Sequence, residues 1–460
     1  MPELKKNDLI ELAVEGLSNL GYGVARTSGG EVVFVQNALP DETVKAKIIK
    51  VASSYSVARV EEYITKSKDR VENDCPAKGC GGCVYRHLSY EAELVWKRDY
   101  VKSAFAKVGL AVTVEETKTT GTTEGYRNKA QYPVQMGKNG IEAGFFAAYS
   151  HRVVPCEGCR LQPAIFSEIV SFVCAFCNQN GIPAYDEKTG KGLLRHLFLR
   201  IGKETGEILV CLVVNGKCLP KEKELAEKLQ RAFPMVKSVQ ISPNEKNTNV
   251  VLGDSFRTIA GRDYIEDTLC GLRFRISAGS FYQVNHDACE LLYGVAKEKA
   301  ALCGGETILD LYCGIGTIGL SMAKEAGQVV GIEIVPEAVE CAKENAKANG
   351  ISNARFYCGD AGDAEKLLAP AEAELGDLSH ATVILDPPRK GCSEELLKFL
   401  AKRGFRRIVY VSCNPDTLAR DCKIMSGLGY EIGTVTPVDL FPRTGHCESV
   451  VQLIRRDINS

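Results

Sequence analysis

The spacing of apolar and polar residues changes character twice along the chain. In residues 1–64 it has the period of a strand. "DLIELAVEGL" alternates, and "GYGVARTSGGEVVFVQNALPDETVKAKIIKVASSYSVARVEEYI" continues the alternation between Gly and Pro turns. A period of two turns one face to a core and the other to water. Five short strands in this length predict a small β-barrel of the oligonucleotide-binding kind. "TKSKDRVEND" (65–74) reads as a charged linker. "YEAELVWKRDYVKSAFAKVG" has helical spacing, with Leu94, Tyr100, Val101 and Phe105 on an apolar side. Its basic residues Lys97, Arg98, Lys102 and Lys107 are free to meet phosphates or plain water. Between 126 and 270, strand-like runs ("KAQYPVQMG", "GEILVCLVV", "SVQISPN", "NVVLGDSFRTIAG") mix with helical patterns at 163–180 and 220–232, which predicts an α+β segment.

From about 285 strands and helices alternate. Helix "NHDACELLYGVAKEKA" precedes strand "TILDLYCG". Then come helix 317–326, strand "VVGIEI", helix 336–349, strands "ARFYCGD" and "TVILDPP", helix 393–402, strand "IVYVSC", a helix near 415–427 and two closing strands. "AEKLLAPAEAELGD" (364–377) reads as a surface helix or loop. The alternation predicts an open, doubly wound α/β sheet of the Rossmann-like class, which binds ligands at the carboxyl ends of its strands. Three segments result: a barrel at 1–64, an α+β middle domain at 65–275 and a Rossmann-like domain at 276–460.

Composition narrows the picture only in places. A hydrophobic content of 45% and a charged content of 25% are ordinary for a globular protein. A net charge of -1 removes any argument from global positive charge and leaves a local basic face as the route to nucleic acid. No apolar stretch has membrane-spanning length, and "MPELKKNDLIELAVEGL" is too charged for a secretory signal, so the cytoplasm is the expected compartment. There, 19 cysteines point to metal binding or catalysis rather than disulfides. Cys174, Cys177, Cys211, Cys218, Cys270, Cys289, Cys303, Cys341, Cys358, Cys392 and Cys422 stand singly and are read as small buried hydrophobes.

Two strand ends carry the cofactor chemistry. "LDLYCGIGTIGL" (309–320) follows a strand and opens a helix, and Gly314, Gly316 and Gly319 permit a tight turn under a ligand. Glu333, 23 residues after Asp310, ends the next strand, where a carboxylate can accept both hydroxyls of a ribose. These glycines also fit the G-x-G-x-x-G of a nicotinamide dinucleotide site, so spacing alone does not choose. "VILDPPRKG" sets Asp386 and a Pro-Pro at the lip of a later strand and resembles the catalytic-strand motif of S-adenosylmethionine-dependent methyltransferases. With D-x-x-C-G-x-G and the later acid, it favours S-adenosylmethionine as cofactor.

The next strand delivers Cys413, in "VYVSCNPDTLARD", to the same edge. "FPRTGHCESV" adds His446 and Glu448 just before the last strand. Carbon 5 of a pyrimidine is a poor nucleophile. A thiolate that adds to carbon 6 converts the ring to an enolate whose carbon 5 can attack a sulfonium methyl. A base must then remove the carbon 5 proton so that the thiol is eliminated. Cys413 suits the first task and Glu448 the second; His446 is assigned no step.

"SCNPDTLARD", "FPRTGHCES" and "SFYQVN" (280–285) together resemble the RNA uridine C5 methyltransferases, which make 5-methyluridine in 23S ribosomal RNA and tRNA. The resemblance covers nearly the whole chain, its N-terminal barrel being similar to the family's TRAM domain. It implies Cys413 as nucleophile, Glu448 as base, and Gln283, Tyr312, Glu333 and Asp386 as S-adenosylmethionine contacts.

"CPAKGCGGCVYRHL" (75–88) carries Cys75, Cys80 and Cys83 in C-x4-C-x2-C spacing, and "HRVVPCEGCRLQP" offers Cys156 and Cys159. Thiolates so spaced suit zinc or an iron–sulfur centre equally. The resemblance implies a [4Fe-4S] cluster, as in the ribosomal-RNA branch of the family, with Cys159 as fourth ligand. The chain departs from the family pattern twice: the first gap is one residue shorter than the commoner C-x5-C, and Cys156 competes with Cys159. The expected partner is RNA, 23S ribosomal RNA ahead of tRNA, with no membrane and the chain a monomer. A single-stranded loop is the natural substrate, its target base turned out of the stack. The rivals are an RNA cytosine C5 methyltransferase and a non-catalytic RNA-binding factor that keeps the fold and the cluster.

Overall fold

The computed structural model describes residues 4–456; residues 1–3 and 457–460, the outer ends of the first and last segments, lie outside the described residues. Strands β1 (Leu9–Leu17), β2 (Tyr22–Arg26), β3 (Val32–Gln36), β4 (Thr43–Val51) and β5 (Ser56–Thr65) close a barrel in the order β1-β2-β3-β5-β4. Its alternation buries Leu12, Val14, Val33, Val35, Val44, Ala46 and Ile48 as one core and leaves the other face polar.

Helix α1 (Tyr90–Lys107) follows, capped by Ser89, whose hydroxyl accepts from the Ala92 amide. The middle sheet holds β6 (Lys129–Gly137), β7 (Gly140–Phe146), β8 (Val153–Pro155), β9 (Leu194–Ile201), β10 (Ile208–Val214), β11 (Val236–Pro243) and β12 (Arg257–Gly261), in the order β12-β11-β10-β9-β6-β7-β8. Helices α2 (Ala164–Gln179) and α3 (Glu222–Ala232) share its core. β9 and β10 are buried along nearly their whole length, so the central strands read as continuous apolar runs. The hairpin β13 (Tyr264–Leu269) and β14 (Leu272–Ser277) packs Ile265, Phe274 and Ile276 into the core of the α/β unit that comes next in the chain.

That unit has seven strands: β15 (Thr307–Leu311), β16 (Gln328–Glu333), β17 (Ala354–Cys358), β18 (Thr382–Leu385), β19 (Arg407–Ser412), β20 (Tyr430–Val438) and β21 (Glu448–Arg455). Their order is β17-β16-β15-β18-β19-β21-β20, with only β21 antiparallel to its neighbours. Around them lie α4 (His286–Ala300), α5 (Thr317–Met322), α6 (Pro336–Ala348), α7 (Ala364–Leu375), α8 (Glu394–Arg403) and α9 (Pro415–Gly427). Every α/β element expected from the pattern is present.

Helix α1 departs from its expected role. It packs Val101, Ala104 and Phe105 into the same core as α9 and this seven-stranded sheet, and the chain after it pairs Val114 and Lys118 with β20. Lys97, read as a surface cation, is 0% exposed. Its ammonium lies 2.7 Å from both Glu93 Oε1 and Asp439 Oδ1 and donates to the Phe441 carbonyl at 3.2 Å. A lysine so enclosed keeps its charge because two carboxylates offset its lost hydration. Arg98 pairs with Asp99 and Lys107 with Asp416; Lys102 is exposed. Among the singly placed cysteines, Cys218, Cys303 and Cys358 are exposed, against expectation, the first two lying in connecting loops and the third ending β17. Cys270 and Cys341 are half-buried, and the rest are buried as read.

Candidate active site

The lip of the catalytic sheet is assembled by register. β15, β18 and β19 run parallel, with Leu311 beside Leu385 and Leu385 beside Tyr410, so the residues just beyond them emerge together. Tyr312 follows the first strand, Asp386 the second and Cys413 the third. β21 runs the other way, and Ser412 pairs with Ser449. Its first residue, Glu448, therefore starts at the edge where β19 ends, one position from the pair and across from Cys413. A thiol and a carboxylate 35 residues apart in sequence are made neighbours by an antiparallel strand.

The turn that carries Cys413 is locally determined. Asn414 caps α9, its side-chain oxygen accepting from the Asp416 amide, and Pro415 occupies the first helical position. Both residue types start helices well, so the strand stops sharply and the thiol stays at the lip, half-buried. Asn414 Nδ2 donates to the Arg389 carbonyl at 3.1 Å, tying this turn to the one after Asp386.

Charge in the pocket is crowded. Burial, with the neighbouring Asp386 charge, pushes Glu448 up to about 8, and burial pushes Asp386 up to about 7. Burial, Glu448 and Asp386 push the Cys413 thiol up to about 11, while Arg389 acts the other way. His446 is held down at about 4 by burial and by Arg389, Arg127 and Lys97, so it is neutral at physiological pH. A proton on Glu448 is thus exchangeable near neutrality, as a general base requires.

The cofactor crevice lies beside this pocket. Tyr312 has a φ of +74°, and its amide and that of Cys313 both donate to the Ile332 carbonyl at 3.0 Å, which forces the sharp turn. Asp310, read only as part of a motif, is buried; its Oδ2 accepts from the Gly319 amide at 2.9 Å and its Oδ1 has no partner among the described residues. Burial pushes it up to about 7. A Cβ on Gly314 would meet nothing within 4 Å, so the turn faces open space. Glu333 accepts from the amides of Gly314 at 3.0 Å and Val335 at 2.9 Å, and the next residue, Ile334, is 59% exposed. Gln283 is half-buried, its carbonyl accepting from Asn128 Nδ2 at 2.8 Å. Next to it, Asn285 caps α4 and donates to the Leu440 carbonyl at 3.0 Å. A carboxylate at a strand end, an exposed apolar residue beside it and a glycine turn facing open space fit a nucleoside such as S-adenosylmethionine.

Sequence reading missed the anchorage of the loop between β20 and β21. Tyr126 donates to the Pro442 carbonyl, the Arg443 amide to Glu93, and the Val84 and Tyr85 amides to the Arg443 carbonyl. A Cβ on Gly445 would collide with the Asn19 carbonyl of the barrel. Barrel, cysteine segment and α1 thus all hold the loop that leads to Glu448. The (i, i+4) spacing of Glu93 and Lys97 was the only local hint, and it is equally a surface pattern.

The five candidate ligand cysteines come together. Cys80 bridges to Ala147 just past β7, and β8, paired with β7, leads directly to Cys156. Cys75, Cys80, Cys83, Cys156 and Cys159 line one cleft of about 820 Å³ that reaches the barrel at Tyr22 and Asn37. Cys156 and Cys159 act on one another, the thiol of Cys159 being held down and that of Cys156 raised. Among the described residues no group of His, Cys, Asp or Glu is gathered tightly enough for one metal ion.

The family model for tRNA (uracil-5-)-methyltransferase matches residues 89–456, and that for the TRAM domain matches residues 4–60. An uncharacterized RNA methyltransferase of Halalkalibacterium halodurans is 44% identical over 98% of both chains. One of Bacillus cereus is 40% identical over 99% of this chain and 98% of the relative. Among solved structures, the Pyrococcus abyssi tRNA (uracil-54, C5)-methyltransferase in complex with S-adenosyl-L-homocysteine has a TM-score of 0.76 at 27% identity, covering 97% of this chain and 100% of the other. The chain therefore belongs to the tRNA (uracil-5-)-methyltransferase family, and it is an S-adenosylmethionine-dependent RNA methyltransferase of the uracil-5 type that carries a TRAM domain.

Proposed function

We propose that this enzyme methylates carbon 5 of a uridine in 23S ribosomal RNA through a covalent bond between Cys413 and carbon 6 of the base. The observation that carries the reading is the β19–β21 register, which sets Glu448 across from Cys413 with Asp386 at the same lip. Gln283, Tyr312, Glu333 and Asp386 are the residues that would hold S-adenosylmethionine, which when bound would supply an electrophilic methyl group. Cys413 sulfur bonds to carbon 6, and the pair of the 5,6 double bond moves toward oxygen 4. Carbon 5 would then take the methyl as the methyl–sulfur bond breaks, its pair remaining on the cofactor sulfur as a neutral thioether. Glu448 accepts the carbon 5 proton, the released pair restores the double bond, and Cys413 leaves as thiolate. The half-buried site asks for a base turned out of its stack, which single-stranded RNA offers most easily.

Cys75, Cys80, Cys83 and Cys159 are proposed to hold a [4Fe-4S] cluster. Five thiols lining one cleft suit such a donor set, and the resemblance of the cysteine spacing to the iron–sulfur branch of the family favours the cluster over zinc. Bound there, it would staple the segment that grips the Arg443 loop and would enter no step. A second reading, tRNA as substrate, is favoured by the Pyrococcus neighbour, which acts on uracil 54 of tRNA and matches 97% of this chain. Mapping 5-methyluridine in ribosomal and transfer RNA from a deletion strain separates the two. Loss from 23S RNA supports the first, loss from tRNA alone replaces it with the second, and loss from neither defeats both.

A further inference from the structure

The loop that follows Asp386 is gripped by one face of one helix. Asn414, Thr417, Arg420 and Asp421 recur at three- or four-residue spacing from the cap of α9, so they point the same way. All four hold residues 389–392. Asn414 Nδ2 and Thr417 Oγ1 donate to the Arg389 carbonyl at 3.1 and 3.3 Å. Arg420 Nη2 donates to the Lys390 carbonyl at 2.9 Å and to that of Cys392 at 3.3 Å. The Cys392 amide donates to Asp421 Oδ2 at 2.9 Å. Gly391 has a φ of +77°, and a Cβ there would come within 2.6 Å of both Arg420 Nη2 and Asp421 Oδ2, so loop and helix meet where only glycine fits.

Asp421 is the centre of this clamp. It is fully buried, and the same Oδ2 accepts from the Tyr410 hydroxyl at 2.6 Å, which itself accepts from the Cys392 amide at 3.2 Å. Arg420 Nε donates to Oδ1 at 2.8 Å and balances the charge. Tyr410, also fully buried, lies on β19 three residues before Cys413 and pairs with Leu385, the residue before Asp386. Tyr312 packs against the core that Cys392 and Tyr410 share. A buried carboxylate is expensive, and for cohesion alone an apolar side chain would serve as well. What the carboxylate adds is direction: a strand and a loop each send a donor to one fixed oxygen.

We propose that Asp421 is a positioning residue, which sets the loop after Asp386, on the methyl-donor side of the site, at a fixed distance from the strand that carries Cys413. The inference rests on the readings of Cys413 as nucleophile and Asp386 as a cofactor contact. Cys413 and Glu448 are placed by the β19–β21 register, in which Asp421 takes no part. Loosening Asp421 therefore shifts the donor relative to carbon 5 and leaves thiol and carboxylate together. A misplacement on the order of 1 Å in such an approach costs about 100-fold in rate.

The test compares two reactions of the full chain on one RNA carrying tritium at carbon 5 of uridine. Without S-adenosylmethionine, Cys413 sulfur bonds to carbon 6, carbon 5 takes a proton from water, Glu448 takes up the tritium, and the thiolate leaves as the double bond returns; the tritium passes to water. With S-adenosylmethionine, 5-methyluridine is measured by nucleoside mass spectrometry in a single turnover. In Asp421→Asn, whose amide cannot accept at both ends, exchange is expected within about threefold of wild type and methylation about 100-fold slower. Tyr410→Phe, which keeps the ring and loses the hydroxyl, is expected to shift the same ratio about tenfold, and it carries the criterion if Asp421→Asn does not fold. Val239→Ala, a truncation in the separate core of the middle sheet, is expected to leave the ratio unchanged. Exchange and methylation that fall together in the Asp421 and Tyr410 variants, as loss of folded protein would make them, overturn the proposal, as do two unchanged rates or a ratio that shifts equally in Val239→Ala. A wild type that releases no tritium overturns the nucleophile reading and this proposal with it; an Asp421 failure alone shows as normal exchange in wild type and an unaltered ratio in the variants.

Discussion

Replacing Glu448 by glutamine perturbs both stability and turnover, and the two effects have opposite signs. Glu448 is 4% exposed, and burial together with Asp386 lifts its carboxyl from 4.5 to about 8. Between those values the folded chain keeps a proton that the unfolded chain has released. Stability therefore falls as pH rises through this window, and the whole loss is in place above about pH 8. At about 1.36 kcal/mol for each tenfold change in acidity, that rise amounts to a ceiling of roughly 5 kcal/mol. For a cooperative unit of 150–250 residues, about 2–4 °C per kcal/mol makes this a fall in Tm on the order of 10 °C. Glutamine cannot ionise, so Glu448→Gln should melt well above wild type near pH 8.5 and close to it near pH 5. The assay is thermal melting of the chain free of RNA and S-adenosylmethionine at both pH values. Catalysis should fail at the last step: without a base the carbon 5 proton stays, and ordinary uridine RNA remains covalently attached to Cys413. Gel electrophoresis under denaturing conditions reads that complex directly. A variant that turns over at the wild-type rate, or a wild type whose Tm falls no more between pH 5 and 8.5 than the variant's, would refute the reasoning.

Lys97→Met should cost about 3–5 kcal/mol in urea unfolding, because it leaves Glu93 and Asp439 buried without their shared cation. Gly445→Ala should destabilise by about 1–3 kcal/mol and lower kcat, since the new methyl drives the loop away from the Asn19 carbonyl; melting and single-turnover methylation report both. If the proposed cluster is present, Cys159→Ser, purified without oxygen, should lose iron and its visible absorption, whereas Cys156→Ser should keep both; the reverse result would exchange their roles, and a wild type without iron would refute the cluster. Cys413→Ser should bind RNA but form no adduct with 5-fluorouridine RNA, as checked by denaturing gels.

The placement of the candidate site residues was legible because it lies where local pattern meets a general rule. In an α/β sheet ligands gather at strand ends, so Tyr312, Glu333, Asp386 and Cys413 could be found at the carboxyl end of each apolar run. The Asn414–Pro415 pair announced the helix start that keeps the thiol at the lip. The five-strand barrel followed from alternation and turns alone.

What the sequence could determine, then, was the order and type of elements and the residues at their ends, since hydrophobic period and capping act over a few positions. The tertiary structure alone decided which charges meet. Lys97 has the spacing of a surface residue, and only its Asp439 partner, far along the chain, makes it part of the core. Glu448 becomes the neighbour of Cys413 only through the reversal of β21. Electrostatic energy depends on separation in space and on the water excluded there, and neither quantity is carried by the order of residues along a chain.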